Sequence, residues 1–79
     1  MGIRMMTLDQ LSVGKRACVI RLSEDSPLRQ RLQDLGVVPG AQILAWMKSP
    51  LGDPTAFLIS GAVIALRRED ASYIEVSTI

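Results

Sequence analysis

The chain has 79 residues, is 48% hydrophobic and carries a formal net charge of +1. That length makes one small domain with little room for a deep pocket. The near-neutral charge argues against nucleic acid or an anionic membrane as the obvious partner. Histidine is missing from the sequence, which removes the commonest general base and the commonest zinc ligand together.

Residues 1–79 read as a single domain, with 1–6 as a loose lead. No apolar core segment follows MGIRMM, and no apolar run is long enough to span a bilayer. Cys18 is the sole cysteine, so no internal disulfide can staple the fold, as small secreted domains usually require. A cytoplasmic protein with no direct membrane insertion is expected.

Thr7 can cap a short helical turn, with Gln10 completing a capping box and Leu8 and Leu11 aimed at the core. Ala17 to Leu22 (ACVIRL) reads as a strand, short and β-branched in its middle. A helix follows in SPLRQRLQDLG. Ser26 is its N-cap, Pro27 its first residue, Leu28, Leu32 and Leu35 its apolar stripe, and Gly36 its stop. Pro39-Gly40 signals a type II turn. Gln42 to Lys48 is a second strand, Thr55 to Ser60 a third and Ala62 to Leu66 a fourth, with Gly61 as a tight turn between the last two. Arg67 to Asp70 reads as one helical turn, and Tyr73 to Ser77 as the last strand. Five short strands with Gly/Pro turns and one helix after the first strand predict a mainly β fold, a small, partly open barrel.

The residue types needed for most chemistries are missing, so an enzyme is not expected. A lone thiol inside a strand, without histidine, reads as a small structural residue. Glu24-Asp25 is explained by the helix N-terminus and Glu69-Asp70 by pairing with Arg67-Arg68; neither has the organised spacing of a cation site. No cofactor and no metal site are expected. Arg29, Arg31, Arg67 and Arg68 could form a phosphate-reading patch. However, each has a carboxylate nearby in sequence, and stacking aromatics are limited to Trp46, Phe57 and Tyr73. A solvated charged face is the better reading.

Taken in order, RLQDLGVVPGAQI, SPLGDP and ISGAVIALRREDASYIEV resemble the FeoA family, small cytoplasmic proteins of bacterial ferrous-iron transport. The resemblance runs from about Met6 to Val76. It rests on Leu32 with Leu35-Gly36, Pro39-Gly40, Leu51 to Pro54, Gly61 and Ala65-Leu66-Arg67. It implies an SH3-like barrel of iron homeostasis that acts by protein–protein interaction. The implied partner is the cytosolic, GTP-binding part of the ferrous-iron transporter FeoB. It also implies an accessory or regulatory role rather than transition metal ion binding as a carrier. The alternative is a nucleic-acid or regulatory module akin to the C-terminal domain of metal-dependent repressors.

Two surfaces are candidates for partner binding. The connector Ser49 to Pro54 places Leu51 at the tip of a stiff loop, with Gly52 turning it, Asp53 capping the turn through its own backbone and prolines on both flanks. On the strands, Phe57, Ile59, Ile64 and Leu66 should face the core. Ala56, Leu58 and Val63 should then face outward, joined by Leu44 and Trp46, where relatives usually look more polar. An exposed apolar face of this kind marks a contact surface, either with the transporter or in a homo-oligomer. Arg67, at the end of the fourth strand, completes the candidate set. Three scattered aromatics do not make the groove that proline-motif recognition needs.

Overall fold

A computed structural model describes residues 4–79. Its strands are β1 (Met5–Thr7), β2 (Arg16–Leu22), β3 (Gln42–Lys48), β4 (Thr55–Ile59), β5 (Ala62–Leu66) and β6 (Ile74–Thr78). A 3-10 turn spans Leu8–Gln10, and two short helices are α1 (Arg29–Asp34) and α2 (Arg68–Ala71). The strands form one sheet in the order β1-β6-β2-β3-β4-β5. Every neighbouring pair is antiparallel.

Alternation of side chains along each strand builds the core. Ile43 and Ala45 of β3, Phe57 and Ile59 of β4, and Ile74 and Val76 of β6 are buried. In β2 the buried set is Ala17, Val19 and Leu22. A register shift between Val19 and Arg21 breaks the strict period there. It keeps Arg21 outside, 3.7 Å from Glu75 on β6. Leu8, Leu11, Leu32, Val37 and Ala71 close the core from the turns and helices.

The count is six strands, not five. The extra one is β1, in the part of the chain expected to be a loose lead. Three residues are too few to show a period, but Met5, Met6 and Thr7 pair with Ser77, Val76 and Glu75 of β6. Arg4 extends the pairing: its carbonyl accepts from the Thr78 N–H at 2.8 Å, and its own N–H donates to Thr78 Oγ1 at 3.0 Å. The rest of the expected lead, residues 1–3, lies outside the described residues. The capping box at Thr7 and Gln10 forms as expected.

Helix α1 starts later than its cap signal suggests. Ser26 is buried, and its Oγ accepts from the Leu28 N–H at 3.3 Å. That bond and the Arg29 N–H to the Ser26 carbonyl make a turn, so Pro27 sits in the turn and regular helix begins at Arg29. Glu24 and Asp25 therefore lie in the preceding loop rather than at the helix N-terminus. The stop is as expected. Gly36 has φ +104°, its N–H reaches the Gln33 carbonyl, and the Val37 N–H reaches the Leu32 carbonyl. This is the Schellman arrangement, with buried Val37 packed beside Leu32. Of the three stripe leucines, Leu32 is fully buried, Leu28 is half-buried, and Leu35 is left exposed at the C-cap.

Candidate interaction surface

The outer face of β3, β4 and β5 is built by cross-strand pairing. Leu44 lies opposite Leu58, and Leu58 lies opposite Val63. Arg16 of β2 ends the same row beside Leu44. Phe57, between two outward residues, is buried at 2% exposure, whereas Leu58 is 36% and Val63 53% exposed. Leu44 is half-buried, Leu58 and Val63 meet solvent, and α1 stands beside the row only at its Val63 end.

The next row is wider than the sequence suggests. A register shift between Ala45 and Met47 inserts Trp46 as an extra residue in β3, and Met47 then opposes Ala56. Trp46 and Met47 are both exposed. Simple alternation would have sent Met47 inward with Ile43 and Ala45, so sequence reading missed it. Ala65 continues the row opposite Ala56.

The connector sits at the end of the same β3–β4 hairpin. Gly52 has φ +88°, and its N–H donates to the Ser49 carbonyl at 2.8 Å. The Ser49 N–H donates to the Pro54 carbonyl at 3.0 Å, which closes the loop base. Leu51 at the tip is 95% exposed. Asp53 does not cap its own turn. Its Oδ1 accepts from the Arg68 N–H at 2.8 Å, the first backbone donor of α2. The bond satisfies a donor that a helix start would otherwise leave unpaired.

Five of the six candidate residues thus fall into two groups, and Arg67 stands apart. Leu58 and Val63 form one cross-strand pair. Gly52 and Asp53 shape the connector and, with Arg68, line a cleft of about 20 Å³, room for one water. Leu51 projects from that loop. Arg67 is exposed after β5. The pairing expected between Arg67-Arg68 and Glu69-Asp70 is not made; among the described residues the ion pair is Arg21 with Glu75. Glu69 and Asp70 instead occupy the first turn of α2, the favourable end for negative charge. Cys18 is half-buried on β2 rather than enclosed. Among the described residues no three His, Cys, Asp or Glu side chains gather to hold a metal ion. No described helix is long and apolar enough to cross a membrane.

Residues 6–78 match the family model described as the FeoA domain. The chain belongs to the FeoA family. A Fe(2+) transport protein A/Fe(2+) transporter FeoB fusion protein of Porphyromonas gingivalis is 36% identical over 74 residues. That alignment covers 94% of this chain but 9% of the fusion protein. The solution structure of FeoA from Chlorobium tepidum superposes with a TM-score of 0.86 at 36% identity, over 94% of this chain and 70% of that one. FeoA of Stenotrophomonas maltophilia, described as a procaryotic SH3 domain protein and complexed with zinc, gives 0.80 at 28% identity, over 90% and 88%. The mainly β, SH3-like FeoA fold expected from the sequence is therefore present. A manganese-dependent transcriptional repressor shares the fold alone, with a TM-score of 0.83 at 16% identity over 44% of its chain. The FeoA family is one of accessory, transport-associated domains and not a known enzyme family.

Proposed function

We propose that this FeoA-family protein is an accessory module of ferrous-iron uptake, acting in the cytoplasm on the cytosolic, GTP-binding part of a FeoB-type transporter. The observation that carries this reading is the outward row Leu44–Leu58–Val63. Aliphatic side chains set side by side on the outside of a sheet gain only the modest stabilisation of cross-strand pairing. They gain free energy when a partner removes them from water, by about 25 cal/mol per Å² of apolar surface. The natural fusion of related FeoA and FeoB sequences in one P. gingivalis chain supports the choice of partner. Covalent linkage raises effective concentration, so a weak contact would suffice.

In this reading Leu58 and Val63 make the central contact. Leu51 reaches into a pocket of the transporter, with Gly52 and Asp53 holding its loop and Arg67 at the rim. The test is an NMR titration of the labelled protein with the cytosolic domain of its cognate transporter. Shifts gathered at Leu58, Val63 and Leu51 to Asp53 support the reading. A saturated complex with these amides unmoved refutes the surface. Leu58→Lys that leaves affinity unchanged does so too. If the same amides move with protein concentration alone, the face joins two copies of this chain instead.

A further inference from the structure

The two edges of the sheet differ. One is β1, three residues long; the other is β5, five residues with the sequence AVIAL. Exposed edges are usually blunted by charges, proline or bulges, because their free backbone groups template another strand. β5 has none of these, and its pairing with β4 is regular from Thr55↔Leu66 to Ile59↔Ala62. The Ser60-Gly61 turn joining the two strands has φ +49° and +80°, the two-residue hairpin geometry. In such a hairpin the closing pair, Ile59 with Ala62, is hydrogen-bonded, and pairs alternate from there. Val63 and Ala65 are therefore the non-bonded positions, with N–H and C=O directed away from β4. No turn or loop hydrogen bond among the described residues reaches them.

Beside this edge runs a groove of about 440 Å³ between β5 and α1. Leu28, Leu32 and Leu35 line it from the helix side, and β5 lines it along its whole length, Ala62 to Leu66. Its lining includes one charged side chain, Arg31, and no carboxylate. Leu35, exposed at the C-cap of α1, belongs to this lining. An open strand edge next to an aliphatic trough with a cationic wall has the parts needed for strand addition: backbone groups for affinity, and pockets for alternate side chains.

We propose that β5 and α1 capture an extended aliphatic peptide segment with one carboxylate among its groove-facing side chains, adding it to the sheet as a further strand. Val63 and Ala65 supply two donors and two acceptors to its backbone. Every second side chain enters the groove, the aliphatic ones against the leucines and one carboxylate beside Arg31. The inference is separate from the transporter reading, since it names the chemistry of the segment and not its owner.

The experiment uses the full, isotope-labelled chain and a short capped peptide with valine, valine and glutamate at alternate positions and threonine between them. Saturable shifts at Leu35, Val63 and Ala65 are expected, with slowed amide exchange at Val63 and Ala65. Methylating alternate peptide nitrogens removes the strand donors and should abolish both effects. Replacing glutamate by lysine should weaken binding about tenfold. Val63→Pro deletes an edge donor without touching the β4–β5 ladder, so it should fold and not bind. If that variant fails to fold, the methylated peptide carries the same test. Leu58→Lys alters the outer face and leaves this edge intact, so it should bind the peptide normally. Three outcomes overturn the proposal: no saturable shift at millimolar peptide, equal binding of the methylated peptide, or slowed exchange at Val63 and Ala65 that grows with protein concentration alone. The last would place a second copy of the chain on the edge.

Discussion

The Asp53 carboxylate accepts a 2.8 Å hydrogen bond from the backbone N–H of Arg68, across 15 positions in the chain. One bond thus ties the connector bearing Leu51 to the start of α2. The loop's orientation is set by a helix it does not adjoin in sequence. Removing the acceptor with Asp53→Ala should cost about 1 kcal/mol, the usual value for a lost cap. Asp53→Asn should cost less, because an amide oxygen still accepts. Urea unfolding of the two variants measures the difference.

Leu51 tests whether the same loop is for display. Its side chain is 95% exposed, so Leu51→Ser should leave stability unchanged within about 0.5 kcal/mol. Under the proposed function it should nevertheless weaken binding to the cytosolic part of the transporter. Calorimetric titration of the variant reads the affinity directly, and thermal unfolding confirms the fold.

Phe57 and Leu58 are neighbours on β4 with opposite fates. Phe57→Ala opens a cavity in the core and should cost about 3–5 kcal/mol, a large part of what so small a domain has. Leu58→Lys places a charge where solvent already reaches and should shift stability by no more than about 0.5 kcal/mol. Parallel denaturation curves give both numbers. If Leu58→Lys proves as costly as Phe57→Ala, the outer face is part of the core.

Gly36 is required twice over. Its φ of +104° strains any other residue, and an added Cβ would stand 3.0 Å from Ser60 Oγ. Gly36→Ala should destabilise by at least about 1 kcal/mol. Ser60 itself holds φ +49° in the β4–β5 turn. Ser60→Asn creates the favoured Asn-Gly pair and should raise stability by about 0.5 kcal/mol, seen as a higher Tm.

Salt separates an apolar docking face from a phosphate-reading one. Affinity for the transporter domain should change little between low and moderate salt, because the central contacts are aliphatic. Binding to DNA through Arg29, Arg31, Arg67 and Arg68 would fall steeply over the same range. Measuring the complex at several salt concentrations decides between them.

Local features were legible in the sequence wherever a residue type carries a backbone preference. Gly36 stopping α1, the Pro39-Gly40 turn, the bounds of β3 and β5, and the outward placement of Leu58 and Val63 all follow from period and turn chemistry. Where two distant segments meet, the sequence carries no such signal. β1 is a strand because β6 pairs with it. Met47 faces out because a register shift between β3 and β4 reverses the alternation. Asp53 caps α2 rather than its own turn because folding brings Arg68 to it. Leu35 is exposed because α1 ends there, at its C-cap, beyond the turn that buries Leu32. The sequence by itself determined the glycine turns, the bounds of β3 and β5 and the family. Only the tertiary structure decided which edge stays open and which polar group meets which, because those choices depend on pairing energy between segments far apart in the chain.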